Sequence, residues 1–211
     1  PFIRPGLVVV AGEKSIHPAG HAQEILKAHS FDYDIYLRLT ESIDNPAGEY
    51  AVFIDQDYCF HSDFIYQKIP SFVSPEKYFP AICNALNRIS EALKVDVRVA
   101  AHPRASYRQR DGDYFEGFST EYGRTADLIR GCKVVVCHDS TADQFAMLFG
   151  KPAIFVTTDE IIPFYEGKSI AKVASEFGKS AINLDRDLQG VDWQRELYVD
   201  PEKYAEYRNK Y

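Results

Sequence analysis

The 211-residue chain lacks the glycine signatures that would give it an immediate reading. No G-x-G-x-x-G follows the first strand-like run, so the nicotinamide and flavin fingerprint is missing. No G-x-x-x-x-G-K-[ST] occurs, so P-loop hydrolysis has no support. Ser140 stands in no G-x-S-x-G elbow, which removes the usual signal for a hydrolase nucleophile. Basic charge is also short: 24 Lys and Arg face 31 Asp and Glu, a net charge of -7. Sequence-independent nucleic-acid binding depends on a basic surface, so a nucleic-acid partner is not expected. The four cysteines, Cys59, Cys83, Cys132 and Cys137, show no C-x-x-C spacing. They read as reduced, structural thiols, not as disulfides or zinc ligands. No apolar run approaches the roughly 20 residues that span a bilayer.

What is present is an alternation of short apolar runs and amphipathic stretches. Leu7–Ala11 reads as a buried strand, Gly20–His29 as a short helix, and Phe31–Leu37, with its alternating aromatic and acidic residues, as a strand with one wet face. Residues 1–40 therefore read as the end of an amino-terminal α/β domain. The opening Pro1-Phe2-Ile3, without a methionine, adds the expectation that this domain is truncated. Residues 41–50 carry turn formers and read as a linker.

A second domain is expected over 51–211. Ala51–Asp55 is a buried strand, and Ser74-Pro75-Glu76 starts a helix with Ser74 as cap. Apolar residues at three- and four-residue steps carry that helix to about Leu93. Val95–Ala101 is the next strand, stopped by Pro103. Tyr107–Gly123 reads as a loop, and Thr125–Arg130 as a short helix capped by Thr125. Strands at Lys133–Cys137, Pro152–Val156 and Ala181–Leu184 follow, with a helix over Thr141–Phe149 closed by Gly150. A last helix begins at Asp200-Pro201. Continuous apolar strands alternating with helices predict an α/β fold, a Rossmann-like doubly wound parallel sheet.

In such sheets ligands bind beyond the carboxyl ends of the strands. Those ends carry Asp55-Gln56-Asp57, His102-Pro103-Arg104, His138-Asp139-Ser140-Thr141 and Thr157-Thr158-Asp159. Ser140 and Thr141 open a helix, where hydroxyls and free amides cap the helix or hold a phosphate. His102, locked by the following proline, suits a donor to an anion or a proton donor to a leaving group. His138 reads equally as a phosphate ligand or a structural hydrogen-bonding group. Asp55 and Asp57 read equally as ribose, metal or base residues, or as a strand-end turn. Arg104, Tyr107 and Arg108 could extend an anion site.

The stretches V-A-A-H-P-R and A-D-L-I-R-G-C-K-V-V-V-C-H-D-S-T-A-D-Q-F-A-M-L-F-G-K-P-A-I-F-V resemble the carboxyl-terminal half of GT-B glycosyltransferases of bacterial surface-polysaccharide synthesis. Similar motifs occur in HP-motif sialyltransferases, Kdo transferases and CDP-glycerol glycerophosphotransferases. The resemblance covers about 51–185 and implies a nucleotide-activated donor, CMP- or CDP-linked in preference to UDP-linked. It implies a donor-phosphate role for His102, which would also assist departure of the nucleotide, and phosphate binding by Ser140 and Thr141. Pro103, Arg104, His138, Asp139, Asp55 and Asp57 complete the expected donor site. No metal or other cofactor is required in this reading. The partners are the nucleotide-sugar donor, a glycan acceptor and the missing amino-terminal domain, in the cytoplasm at the inner face of the membrane. Two alternatives stay open: an epimerase acting on a UDP-sugar, like the UDP-GlcNAc 2-epimerases, and a non-catalytic nucleotide-binding fragment.

Overall fold

A computed structural model describes residues 6–11, 24–41, 48–110, 112–186 and 188–210. Most of the 41–50 linker therefore lies outside the described residues. The elements in chain order are β1 (Leu7–Ala11), β2 (Glu24–Ala28), α1 (Phe31–Glu41), β3 (Tyr50–Ile54), α2 (Ser62–Gln67), α3 (Pro75–Leu93), β4 (Asp96–Ala101) and β5 (Ser119–Tyr122). They continue with α4 (Thr125–Gly131), β6 (Val134–Cys137), α5 (Asp143–Leu148), β7 (Ala153–Thr157), α6 (Tyr165–Glu176), β8 (Ile182–Asn183) and α7 (Pro201–Lys210).

Six strands form one sheet in the order β5-β4-β3-β6-β7-β8, every pair parallel. Counted from β3 this is 3-2-1-4-5-6, the doubly wound order of Rossmann-like α/β folds. The expected fold class is therefore the observed one. β3, β6 and β7 are buried at every position, as a sheet covered on both faces requires. Crossovers leave the centre in opposite directions, through α3 to β4 and through α5 to β7. Right-handedness then puts those helices on opposite faces. The apolar stripe of α3, including Tyr78, Phe79, Ile82, Leu86 and Ile89, supplies one side of the core.

The opening segment differs from its sequence reading. The described part of Gly20–His29 is a strand, because β2 pairs in parallel with β1 from Leu7↔Glu24 to Ala11↔Ala28. β1 itself is largely exposed, with only Val10 buried. Phe31–Leu37 belongs to helix α1, where Asp32 and Asp34 fall in the first turn and Arg38 Nε donates to the Asp34 carbonyl. Tyr33 and Tyr36 stack on one side of α1, and Tyr36 packs on Phe149 beside α5. This tertiary contact decides helix over the alternating pattern.

The Tyr107–Gly123 loop also holds more order than its polarity predicts. It contains a 3-10 turn at Tyr107–Gln109 and the edge strand β5, four residues paired to β4 with Ser119 exposed and the other three half-exposed. Of the two N-caps named, Ser74 keeps its position without a capping bond and Thr125 loses it. Ser74 is the N-cap of α3, but its hydroxyl donates to Glu160 instead of capping. Thr125 lies inside α4, with Arg124 as N-cap. Asp200 does cap α7, accepting the Glu202 and Lys203 amides at 3.0 and 3.1 Å. All four cysteines are free and buried. Among the described residues no helix is long and apolar enough to cross a membrane.

Candidate functional site

Strand order fixes where the site lies. From β3 the chain winds one way to β4 and the other way to β6, so their helices diverge and leave a crevice at the carboxyl ends. A cleft of about 810 Å³ opens there. Asp55 and Gln56 enter it from the end of β3, His102 and Pro103 from β4, and Asp139, Ser140 and Thr141 from β6. Seven of the residues named on their own strand ends are thus brought to one cavity or its floor, and the others are not.

Asp55 forms the floor and is 1% exposed. Its carboxylate accepts the His102 amide at 3.1 Å, the Asp57 amide at 3.0 Å and the Tyr107 hydroxyl at 3.0 Å. Burial raises its pKa, while those hydrogen bonds oppose the shift. Asp55 therefore holds the end of β4 against β3. Asp57 is buried and outside the cleft, with one carboxylate oxygen unpartnered. Burial first, and then the Asp55 charge, push it up to about 6.

His102 is half-buried at the cleft wall. Its Nδ1 accepts the Arg104 amide at 3.3 Å, so in the neutral ring the proton sits on Nε2. Burial first, and then the neighbouring His61 and Arg104, push the ring below its ordinary pKa. A neutral Nε2–H donor results. Arg104 points its guanidinium to Asp63 at 3.4 Å and does not line the cleft. Tyr107 is spent on Asp55, and Arg108 lies over the Tyr122 ring at 4.2 Å.

His138 is in the core, fully buried. Nδ1 faces the Val156 carbonyl at 2.7 Å and must carry the proton, so Nε2 accepts the Tyr78 hydroxyl at 2.8 Å. Burial pushes its pKa down to about 4. Of the two readings of His138, the structure gives it the structural hydrogen bonds. Asp139 lines the cleft and accepts the Tyr58 hydroxyl at 2.7 Å.

The helix expected from Thr141 starts at Asp143 instead. Ser140 Oγ accepts the Ala142 amide at 3.2 Å, and Asp143 Oδ2 accepts the Ser140 amide at 2.7 Å. This reciprocal capping uses amides that an anion would otherwise take. What the turn still offers the cleft is the Ser140 hydroxyl proton and the exposed Thr141. Asp143 is buried, and desolvation pushes it up to about 7.

Several lining residues escaped the sequence reading. Arg124 and Thr125 follow β5, and with β5 read as loop no strand end drew attention to them. Arg124 pairs with Glu121 at 3.0 Å. Asp32 reaches the rim from α1, where Gln144 Nε2 donates to it, and burial raises its pKa. Ser169 and Val173 come from α6. The cleft thus mixes one guanidinium, one imidazole and four hydroxyls with the carboxylates of Asp32, Asp127 and Asp139. Imidazole and guanidinium suit a phosphate; carboxylates suit sugar hydroxyls.

No family model and no curated protein matches the chain. Among solved structures it is similar to the crystal structure of Acinetobacter baumannii MurG, at 11% identity and a TM-score of 0.36. That superposition covers 96% of this chain and 52% of the MurG chain, so the chain spans about half the length of its neighbour. The fold assignment rests on the strand order itself.

Proposed function

We propose that residues 51–211 form the donor-binding domain of a GT-B-type glycosyltransferase. It would move a sugar from a nucleotide-activated donor, CMP- or CDP-linked, to a bacterial surface glycan. One observation carries the reading: a cleft at the switch point of a 3-2-1-4-5-6 sheet pairs a neutral His102 donor with hydroxyls and carboxylates, in a chain without a glycine fingerprint. His102 Nε2–H would donate to the donor phosphate and stabilise charge as the nucleotide departs. Ser140 and Thr141 would add hydroxyl donors to the same phosphate, and Asp139 would take a ribose or sugar hydroxyl. In this reading residues 1–40 close a preceding α/β unit, with α1 clasped to the donor domain through Tyr36 and Phe149. The rest of that unit would bring the glycan acceptor at the inner face of the membrane.

Isothermal calorimetry with CMP, CDP, UMP and UDP tests the reading. Binding of a cytidine nucleotide is expected, weakened by His102→Ala with the fold intact by circular dichroism. If none of the four nucleotides binds, the reading fails.

A further inference from the structure

His61 drew no attention in the sequence, yet it faces His102 across the ends of the adjacent strands β3 and β4. The two ring centroids are 4.9 Å apart, at 62°. The rings share one local design. The His61 Nδ1 accepts the amide of Asp63, two residues on, at 3.3 Å, as the His102 Nδ1 accepts the amide of Arg104. A backbone amide can only donate, so both neutral rings carry their proton on Nε2. No described residue hydrogen-bonds either Nε2. Two fixed imidazole donors therefore stand side by side with their donating nitrogens unspent.

The pair separates two spaces. His102 lines the large cleft, and His61 lines a recess of about 200 Å³ with Cys59, Phe64 and Arg110. Arg110 lies over the Phe60 ring at 4.0 Å, with its Nε donating to Ser106 at 3.0 Å. It forms no ion pair with a described carboxylate. The acid beside the ring pair, Asp63, pairs its Oδ1 with Arg104 at 3.4 Å, and its Oδ2 stands 3.6 Å from the His61 Nδ1. Donors thus lie on both sides of the ring pair, His102 on the cleft and His61 with Arg110 on the recess. One phosphate would satisfy His102 alone. Two linked phosphates match donors on both sides of the ring pair.

We infer that His61 and His102 together form a clamp for a diphosphate, so that the site takes a nucleoside diphosphate-linked donor in preference to a monophosphate-linked one. The inference rests on the nucleotide-donor reading above and selects within it. His61 then touches the outer phosphate, and Arg110 offsets its charge.

The test is calorimetric titration of the 211-residue chain with CMP, CDP and inorganic pyrophosphate, beside histidine ¹⁵N spectra. In the spectra both rings should show the Nε2–H tautomer, and pyrophosphate should shift both Nε2 signals together. CDP should bind roughly tenfold tighter than CMP, the worth of one hydrogen bond to a charged group. His61→Phe, which keeps a ring against His102 and Phe64 but has no donor, should erase that difference. His61→Gln, which restores a donor at similar reach, should recover most of it. Equal binding of CMP and CDP, or a His61→Phe variant that still prefers CDP, overturns the clamp and leaves the nucleotide reading standing. Pyrophosphate that shifts both rings while no nucleotide binds upholds the clamp and defeats the nucleotide reading. If nothing binds, both fail.

Discussion

Buried His138 makes the sharpest prediction about stability. Folded, its pKa is pushed down to about 4 by burial, against 6.5 for a free histidine. The unfolded chain therefore binds more protons between those values, and stability is lost as pH falls from 6.5 towards 4. At pH 4.5 the loss from this residue alone is roughly 2–3 kcal/mol; at pH 7.5 it is about zero. Asp143 and Asp57 work in the opposite direction, because their folded pKa values are raised to about 7 and about 6. Their contributions grow as pH falls, so the unmodified chain should show only a shallow net slope. The difference between chains isolates the histidine. His138→Gln keeps a donor for the Val156 carbonyl and an acceptor for the Tyr78 hydroxyl, but does not titrate here. Urea unfolding of both chains at pH 7.5, 6.5, 5.5 and 4.5 gives the two stability curves. His138→Gln should start less stable at pH 7.5 and gain roughly 2–3 kcal/mol relative to the unmodified chain by pH 4.5. Parallel curves would refute the assigned tautomer and the neutral buried ring together.

Three further outcomes are expected. Asp143→Asn removes a carboxyl whose pKa is raised by desolvation, so its stability relative to the unmodified chain should rise between pH 4 and 7 by on the order of 3 kcal/mol and level off above, again by urea unfolding. Gly167→Ala should cost about 2 kcal/mol or more in a thermal melt, because a Cβ there would stand 2.6 Å from the Ile162 Cα and carbonyl oxygen, which are backbone and cannot swing away. Asp55→Asn should weaken nucleotide binding roughly tenfold while the far-ultraviolet spectrum is retained, since the charge-assisted bonds from Tyr107 and the His102 amide hold that strand end; unchanged affinity would separate Asp55 from the cleft's geometry.

The sheet was readable because its central strands are short apolar runs, and no other element buries AVFI, VVVC and AIFV so completely. α3 was readable for a second reason, its 3.6-residue stripe and its Ser-Pro-Glu start. The opening segment was misread because its periodicity is carried by contacts elsewhere. Phe31, Tyr33 and Ile35 alternate with Asp32 and Asp34 as a strand would, whereas the helix puts Tyr33 and Tyr36 on one side, with Tyr36 packed on Phe149. β5 was missed because an edge strand of Ser, Thr, Glu and Tyr has no apolar signal; its ladder to β4 defines it. In the site, chain position identified strand-end residues but not the direction of their side chains. His138 and Asp139 are neighbours, yet one is core and the other lines the cleft. His61 had no pattern at all, since its partner is 41 positions away and joined to it only by the β3–β4 pairing.

The strand ends divide their polar residues between two tasks. Asp55, His138 and Asp143 turn inward and are consumed by backbone and hydroxyl groups: the His102 amide, the Val156 carbonyl with Tyr78, and the Ser140 amide. A buried polar group is stable only when so matched, and once matched it has one geometry. The residues next to them, His102, Asp139, Ser140 and Thr141, are left facing the cleft on a backbone already fixed. Their donors need little ordering when a ligand arrives, so less of the binding energy is lost to it. The acidic lining sharpens the point. With Asp32, Asp127 and Asp139 around the cavity, a phosphate cannot be held by general positive charge and must be held by directed donors. In the proposed donor reading those donors would be His102 from the β4 end and the Ser140 and Thr141 hydroxyls from the β6 end, with Asp139 left to accept a ribose or sugar hydroxyl.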